Sequence, residues 1–262
     1  MVVFFDIDGT IVDDDTQIIP ESAVRAVERL RQNGHLAVVN TGRPYSHIDP
    51  RVRGMDFGGW VCGCGMEILV DGKWLLRRHP EDSVCLAVRD AVRECGMQVL
   101  YEGRDNGTIY ADGQLSTHPK LAAEANRMIA KGFPVVEIDT LPVPRFMKGV
   151  TYDCDGCRRE EFLARISPWF DCIDRGNTMV EMVLQGSSKA GGMLQLLELL
   201  GLPREDTLAI GDSTNDLPMF AVARHTACMG NGMQQLKEQA EFVTASVLDD
   251  GIEKALRHYG LI

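Results

Sequence analysis

The chain opens on an apolar run, Met1-Val2-Val3-Phe4-Phe5, that stops abruptly at Asp6-Ile7-Asp8-Gly9-Thr10. A short unbroken apolar run reads as a strand covered on both faces, and that demands a parallel sheet with helices on either side. Open sheets of this kind bind ligands just beyond the carboxyl ends of their strands. Gly9 lets the backbone turn away at that point. Alternate residues of an extended segment project to the same side, so Asp6 and Asp8 can address one atom. Two carboxylates at one spot repel and raise each other's pKa unless a cation lies between them. The spacing points to a metal.

The pattern of the first strand recurs. A helical stretch over residues 21–33 puts Val24, Val27 and Leu30 on one face and ends at Gly34. Apolar strands are expected over 36–39, leading into Asn40-Thr41-Gly42-Arg43, and over 60–62. Residues 68–70 and 74–76 flank Asp71-Gly72-Lys73, a hairpin signal. Near the C-terminus a helix over 189–200 closes at Gly201, and a strand over 207–210 feeds Gly211-Asp212-Ser213-Thr214-Asn215-Asp216. Short strands near 226–229 and 242–244 follow, each with a helix after it. Alternation at both ends predicts one doubly wound, mostly parallel α/β domain of Rossmann-like type, built from residues 1–80 and 185–262.

Residues 81–184 have a different rhythm. A helix over 84–95 precedes strands over 98–101 and 108–111, with a hairpin turn at Asn106-Gly107. A helix over 120–130 and a strand over 135–138 come next, then a connection marked by Pro142 and Pro144. A strand over 148–152, a helix over 159–166 and strands over 170–174 and 179–184 complete the segment. Helix–strand–strand stands near both of its ends. This predicts an inserted α+β cap domain, an antiparallel sheet with helices on one face, acting as a lid.

Composition narrows the partners. A formal net charge of −11 over 262 residues argues against a nucleic-acid backbone or an anionic membrane. No apolar stretch is long enough for a membrane span, and the N-terminus lacks the layout of a signal peptide. Eight cysteines in such a chain read as reduced thiols rather than a disulfide framework, so the expected location is cytoplasmic. Cys62-x-Cys64 and Cys154-x-x-Cys157 raise zinc or redox chemistry, but neither has a second half at ligand spacing, and Asp155-Gly156 reads as a turn. Arg77-Arg78-His79 reads as a solvated junction at the expected hinge.

Four segments fall at the ends of core strands or the start of a core helix: Asp6/Asp8, Thr41-Gly42-Arg43, Ser188-Lys189, and Gly211-Asp212-x-x-Asn215-Asp216. In that order and spacing the set resembles the haloacid dehalogenase superfamily. With a large insert between the second and third segments, it is similar to the Cof-type (subclass IIB) sugar-phosphatase branch. The resemblance implies Asp6 as a nucleophile that forms an aspartyl-phosphate, and Asp8 as the acid and base. It implies Mg²⁺ held by the Asp6 carboxylate, the Asp8 backbone carbonyl and Asp212, with Asp216 as a supporting acid. Thr41, Gly42, Lys189 and Asn215 would bind the phosphoryl group; Arg43, Cys64 and Glu181 would serve the substrate or cap.

An acid at position 8, where transport ATPases of the superfamily carry Thr, implies rapid turnover of the intermediate. The expected enzyme is a phosphatase acting on a small phosphorylated metabolite, a sugar phosphate first, as a monomer or small homo-oligomer. A sugar phosphomutase and a non-catalytic binding or regulatory protein on the same scaffold are the alternatives. One departure stands out: Cof-type proteins commonly carry Asn-Gly-Ala after the third strand, and here Cys64-Gly65-Met66 occupies that place. Glu181 lies on the last strand of the insert, where it faces either the cleft or solvent.

Overall fold

Strand β1 (Val2–Phe5) is buried along its whole length, and the two sides of that strand explain the architecture. In the computed structural model, which describes residues 1–104, 109–111 and 118–262, the chain divides into two compact units. One comprises Met1–Arg77 and Ser187–Ile262, the other Arg78–Gly186.

In the first unit β1 is followed by α1 (Glu21–Gln32), β2 (Leu36–Asn40), the short α2 (Pro50–Arg53), β3 (Gly59–Cys62), β4 (Glu67–Val70) and β5 (Lys73–Arg77). The second unit carries α3 (Asp82–Cys95), β6 (Val99–Gly103), β7 (Ile109–Ala111), α4 (Pro119–Ala130), β8 (Val135–Glu137), β9 (Phe146–Thr151), α5 (Arg159–Ile166), β10 (Phe170–Gly176) and β11 (Met179–Leu184). The chain then returns to the first unit with α6 (Lys189–Leu200), β12 (Thr207–Gly211), α7 (Leu217–Val222), β13 (His225–Cys228), α8 (Gln234–Lys237), β14 (Phe242–Val243) and α9 (Gly251–His258).

The eight strands of the first unit order as β14-β13-β12-β1-β2-β3-β4-β5. Pairing is parallel from β14 through β3, and β4 and β5 add an antiparallel hairpin. Val3 and Phe5 point to one face, packed with Ala26, Val27 and Leu30 of α1 and Ile252, Ala255 and Leu256 of α9. Val2 and Phe4 point to the other, against Met193, Leu196 and Leu197 of α6 and Met219 and Phe220 of α7. Each face is covered, which is why the strand shows no polar alternation. From β1 the chain moves to β2 on one side, while β12 pairs on the other. The sheet therefore has its topological switch point at the carboxyl end of β1.

In the second unit six strands order as β10-β11-β9-β6-β7-β8, all antiparallel except β7 with β8. Val99 and Tyr101 pack with α3 and α5, whereas Leu100 packs with Leu121, Ala125 and Met128 of α4. Successive strand residues face opposite ways. Helices thus occupy both faces of this sheet rather than the one expected from sequence, because β6 is apolar on both sides. The expected turn at Asn106-Gly107 lies outside the described residues. Among the described residues no helix is long and apolar enough to cross a membrane.

Candidate active site

The carboxyl ends of β1 and β12 bring Asp6 and Asp212 together. Asp6 is fixed by its N–H donating to the Ile210 carbonyl at 3.0 Å, which continues the β1–β12 ladder one residue past the strand. Gly9 turns with φ +70°, and a Cβ there would lie 2.3 Å from an Asp212 carboxylate oxygen. Glycine is therefore required for the Asp212 side chain to rest against the β1 turn. Thr10 donates its hydroxyl to Asp212 Oδ1 at 3.2 Å.

Asp216 completes the acidic group. One ligand oxygen from each of Asp6, Asp212 and Asp216 lies within 4.8 Å of the others, and all three residues are buried. Asp216 reaches this position because Ser213 and Asp216 form a reciprocal capping box around the turn after β12. Its Oδ2 accepts the N–H groups of Asp212 at 3.0 Å and Ser213 at 3.1 Å. Gly211 leaves room for it, since a Cβ there would meet the Asp216 carboxylate at 2.5 Å.

Lys189 is the first residue of α6, whose N-cap Ser188 accepts the Gly191 N–H at 2.9 Å. Its Nζ stands 2.8 Å from Asp6 Oδ1 and 2.6 Å from Asp216 Oδ1, and donates to Asn215 Oδ1 at 3.1 Å. Burial alone would lower the pKa of this ammonium, but the Asp6 and Asp216 carboxylates outweigh burial and hold it above the ordinary lysine range. Burial pushes Asp6 upward despite Lys189, and pushes Asp212 up to about 8, with the neighbouring carboxylates adding to both. With all three acids ionised, one ammonium would leave a surplus of negative charge in a buried space, and the raised carboxyls reflect that conflict.

The second motif lies alongside. Asn40 donates from Nδ2 to the Lys189 carbonyl at 3.1 Å, tying β2 to the start of α6. Thr41 is buried, and its Oγ1 accepts the Arg43 N–H at 3.2 Å. Gly42 is half-buried between them. Arg43 is turned onto Asp8, donating from Nε to Oδ2 at 2.7 Å and from Nη2 to Oδ1 at 2.9 Å. Cys64 donates its N–H to the Thr41 carbonyl at 3.1 Å and adopts φ +57°.

Of the sequence-predicted residues, Asp6, Asp212, Asp216, Lys189 and Asn215 meet in one cluster. Arg43 joins Asp8, and Thr41, Gly42 and Cys64 form the adjoining loops. Glu181 belongs to the other unit. It is 8 % exposed rather than a solvated strand residue, with Lys148 Nζ 2.6 Å from Oε1 and Arg175 donating to Oε2 at 2.8 and 2.6 Å. Cys154 and Cys157 lie in that unit too, with the Cys154 N–H donating to Cys157 Sγ at 3.3 Å. Burial, together with Cys157, pushes the Cys154 thiol up to about 12, far from a reactive thiolate.

Sequence reasoning missed three contributors. Asn231 donates from Nδ2 to the Gly9 carbonyl at 2.8 Å while its Oδ1 accepts the Val247 N–H at 3.1 Å. Its flanking Gly230 and Gly232 were the available signal. Gly65 and Gly192 touch backbone to backbone: a Cβ on Gly192 would lie 2.5 Å from Gly65 Cα. Glu67 is an acid only 2 % exposed, and nothing in the pattern of β4 announces it.

Comparison with known proteins agrees with this geometry. Residues 3–256 match the profile of the haloacid dehalogenase-like hydrolases. The chain belongs to that family. Within it the match is to the Cof-type branch. The chain is 30 % identical to YkrA of Bacillus subtilis strain 168, over all of this chain and 98 % of that protein. It is 24 % identical to YitU of the same strain, a 5-amino-6-(5-phospho-D-ribitylamino)uracil phosphatase, over 98 % of this chain and 97 % of YitU. A protein of Geobacillus kaustophilus HTA426 superposes with a TM-score of 0.83 at 26 % identity, covering 100 % and 99 % of the two chains. The subclass IIB sugar phosphatase BT4131 shares the fold, with a TM-score of 0.78 at 22 % identity over 100 % and 99 %.

Proposed function

We propose that this hydrolase is a Mg²⁺-dependent phosphatase that releases phosphate from a small phosphorylated metabolite through an aspartyl-phosphate on Asp6. The observation that carries the reading is the Lys189 ammonium bridging Asp6 and Asp216 inside a buried three-carboxylate cluster. A phosphate ester is an anion that repels nucleophiles, so its site must supply a nucleophile and positive charge together.

The residues fit a hard divalent cation. Their donors are carboxylate oxygens, and the surplus negative charge is what such an ion would neutralise. The Asp6 and Asp212 carboxylates and the Asp8 backbone carbonyl would hold it. Asp216, both of whose oxygens already accept hydrogen bonds from Lys189 and the backbone, would support them. Bound there, Mg²⁺ would supply charge neutralisation to the phosphoryl oxygens.

Asp6 attacks phosphorus, forming the bond from its carboxylate oxygen as the bond to the leaving alkoxide breaks. Asp8 gives its proton to that oxygen. Water then attacks the aspartyl-phosphate, Asp8 takes the water proton, and the bond between phosphorus and Asp6 breaks to release phosphate. Lys189 holds the Asp6 carboxylate, Thr41 and the Gly42 backbone receive the phosphoryl oxygens, and Arg43 aims Asp8.

The second unit, residues 78–186, is the element we assign to choosing the leaving group. A polyhydroxylated phosphate ester is the expected class, supported by the likeness to YitU, whose substrate carries a phosphorylated ribityl chain. The test is phosphate release with Mg²⁺ across a panel of sugar and polyol phosphates. Asp6→Asn is expected to abolish release while the protein stays folded. Substantial turnover by that variant would overturn the nucleophile assignment, and phosphate moving within the substrate without release would overturn hydrolysis.

A further inference from the structure

Glu67 is a buried carboxylate that the proposed chemistry does not use. It sits at the start of β4, 2 % exposed, and spends its two oxygens in different directions. Oε2 accepts the backbone N–H of Tyr45 at 3.0 Å. Oε1 accepts from Arg77 Nη2 at 3.1 Å and Nε at 3.3 Å. Tyr45 stands two residues after Arg43. Arg77 is the last residue of the first segment of its unit, where the chain leaves for the insert. Arg77 is exposed, as the expectation of a solvated junction has it, yet its guanidinium is also the counter-charge of a buried acid.

A second contact runs parallel to the first. The Arg77 guanidinium lies 4.7 Å from the centre of the Trp74 ring, and that ring meets Tyr45 edge-on at 5.4 Å. Arg77 therefore reaches Tyr45 by two routes, through a carboxylate to the backbone and through an indole to the phenol ring. Tyr45 follows the loop that binds itself to the next one: Gly63 N–H donates to the Arg43 carbonyl at 2.8 Å, and Cys64 N–H to the Thr41 carbonyl at 3.1 Å. That same loop ends in the Arg43 fork on Asp8.

We propose that the Glu67–Arg77 pair is a positioning element, which fixes the loop carrying Thr41 and Arg43 and couples it to the point where the chain leaves for the insert. A carboxylate this buried stays in place only while its counter-charge does, because an unpaired buried charge is strongly unfavourable. Displacing Arg77 frees Glu67 to withdraw, the Tyr45 N–H loses its acceptor, and the loop that aims Asp8 loosens. Any movement of the chain at Arg77 is in this way felt at Arg43. The inference rests on the phosphatase reading for its catalytic consequence, but not for the coupling itself.

The test is a cycle of three full-length variants: Glu67→Gln, Arg77→Gln and the double substitution. Two readouts are needed, hydrogen exchange over residues 43–48 and steady-state hydrolysis of p-nitrophenyl phosphate with saturating Mg²⁺. Arg77→Gln leaves the carboxylate without its counter-charge, so exchange at Tyr45 rises about tenfold or more and kcat falls about tenfold, with KM changing less. The double variant restores a neutral chain of hydrogen bonds. The amide introduced at position 67 accepts the Tyr45 N–H through its oxygen and donates through its nitrogen to the amide introduced at position 77. Both readouts should return to within about threefold of wild type, so the single losses do not multiply. Wild-type exchange at Tyr45 in Arg77→Gln, or losses that multiply in the double variant, would overturn the coupling. A wild-type protein with no turnover would overturn the phosphatase reading instead, and the exchange arm would still decide the pair.

Discussion

Arg43 grips Asp8 with a two-pronged hydrogen bond, Nε to Oδ2 at 2.7 Å and Nη2 to Oδ1 at 2.9 Å. The pair is part-exposed, so its worth to stability is small. Its worth to geometry is larger, because a planar fork fixes the plane of the carboxylate as well as its distance. Arg43→Met should therefore lower kcat by roughly 10- to 100-fold with little change in melting temperature. Arg43→Lys should recover only part of the loss, since an ammonium is a point charge without the fork. Full activity in Arg43→Met would show that Asp8 is aimed by other contacts.

Gly192 lies in the first turn of α6, where its missing Cβ lets the helix press against Gly65. A methyl group there would stand 2.5 Å from both Gly65 Cα and Val61 Cγ1. Backbone cannot give as a flexible side-chain tip can. Gly192→Ala should move the start of α6, carrying Lys189 with it, and cost about 1–3 kcal/mol of stability. Turnover should fall further than that loss explains, because Lys189 loses its place between Asp6 and Asp216. Denaturant titration beside kinetics separates the two effects.

How legible this was in the sequence varied with the kind of signal. The parallel sheet could be read from Val2–Phe5 and Thr207–Gly211 because strands covered on both faces leave unbroken apolar runs. The acidic cluster could be read because Asp6, Asp212 and Asp216 sit in short motifs at strand ends, with Asp8 beside them in the first. What could not be read were contacts between distant segments that carry no local pattern. Glu67 looks like any polar residue opening a strand, and its partner Arg77 like any basic residue in a linker. The Gly65–Gly192 contact joins two unremarkable glycines more than a hundred residues apart. Cys64 shows a third limit. Its place in the loop is a positive φ of +57°, a conformation Asn tolerates better than Cys, so the change from the family's Asn touches backbone energetics as well as side-chain chemistry. The second helical face of the insert's sheet leaves no mark in the sequence, because Val99, Leu100 and Tyr101 are apolar in succession and show no alternation.

Asp6, Asp212 and Asp216 lie buried together, and Lys189 pairs with Asp6 and Asp216 only, so the three acids can all be ionised only with a further cation beside them. A cation that binds the folded protein alone adds stability in proportion to the logarithm of its concentration, about 2.7 kcal/mol at a hundred times its Kd. Mg²⁺ should thus raise the melting temperature by several degrees, and chelation should reverse the gain along with activity. Asp212→Asn should remove the gain. Because burial and neighbouring acids push the Asp212 carboxyl up to about 8, the metal-free variant should be at least as stable as the metal-free wild type. A Mg²⁺-dependent shift that survives Asp212→Asn would place the ion elsewhere.

Glu181 holds together the polar part of the insert's sheet. Burial alone would raise its pKa, but Lys148 and Arg175 outweigh burial and bring the carboxyl down from 4.5 to about 2. A carboxylate favoured in the folded state contributes stability that is fully present above its unfolded pKa and lost as pH falls through its folded one. For Glu181 that window runs from about 4.5 down to about 2. The difference in pKa corresponds to a contribution on the order of 3 kcal/mol at neutral pH. Glu181→Gln should be less stable than wild type at pH 7 by up to an amount of that order, since Arg175 then loses its carboxylate and Lys148 keeps Glu102, 3.5 Å away, in place of the closer pair. As pH falls through the window, wild type should lose stability that the variant no longer has to lose, and the two should converge. Urea denaturation of both proteins at pH 7, 4.5, 3 and 2 measures this directly. A gap that stayed constant down to pH 2 would mean that Glu181 stabilises the sheet through packing rather than through its charge.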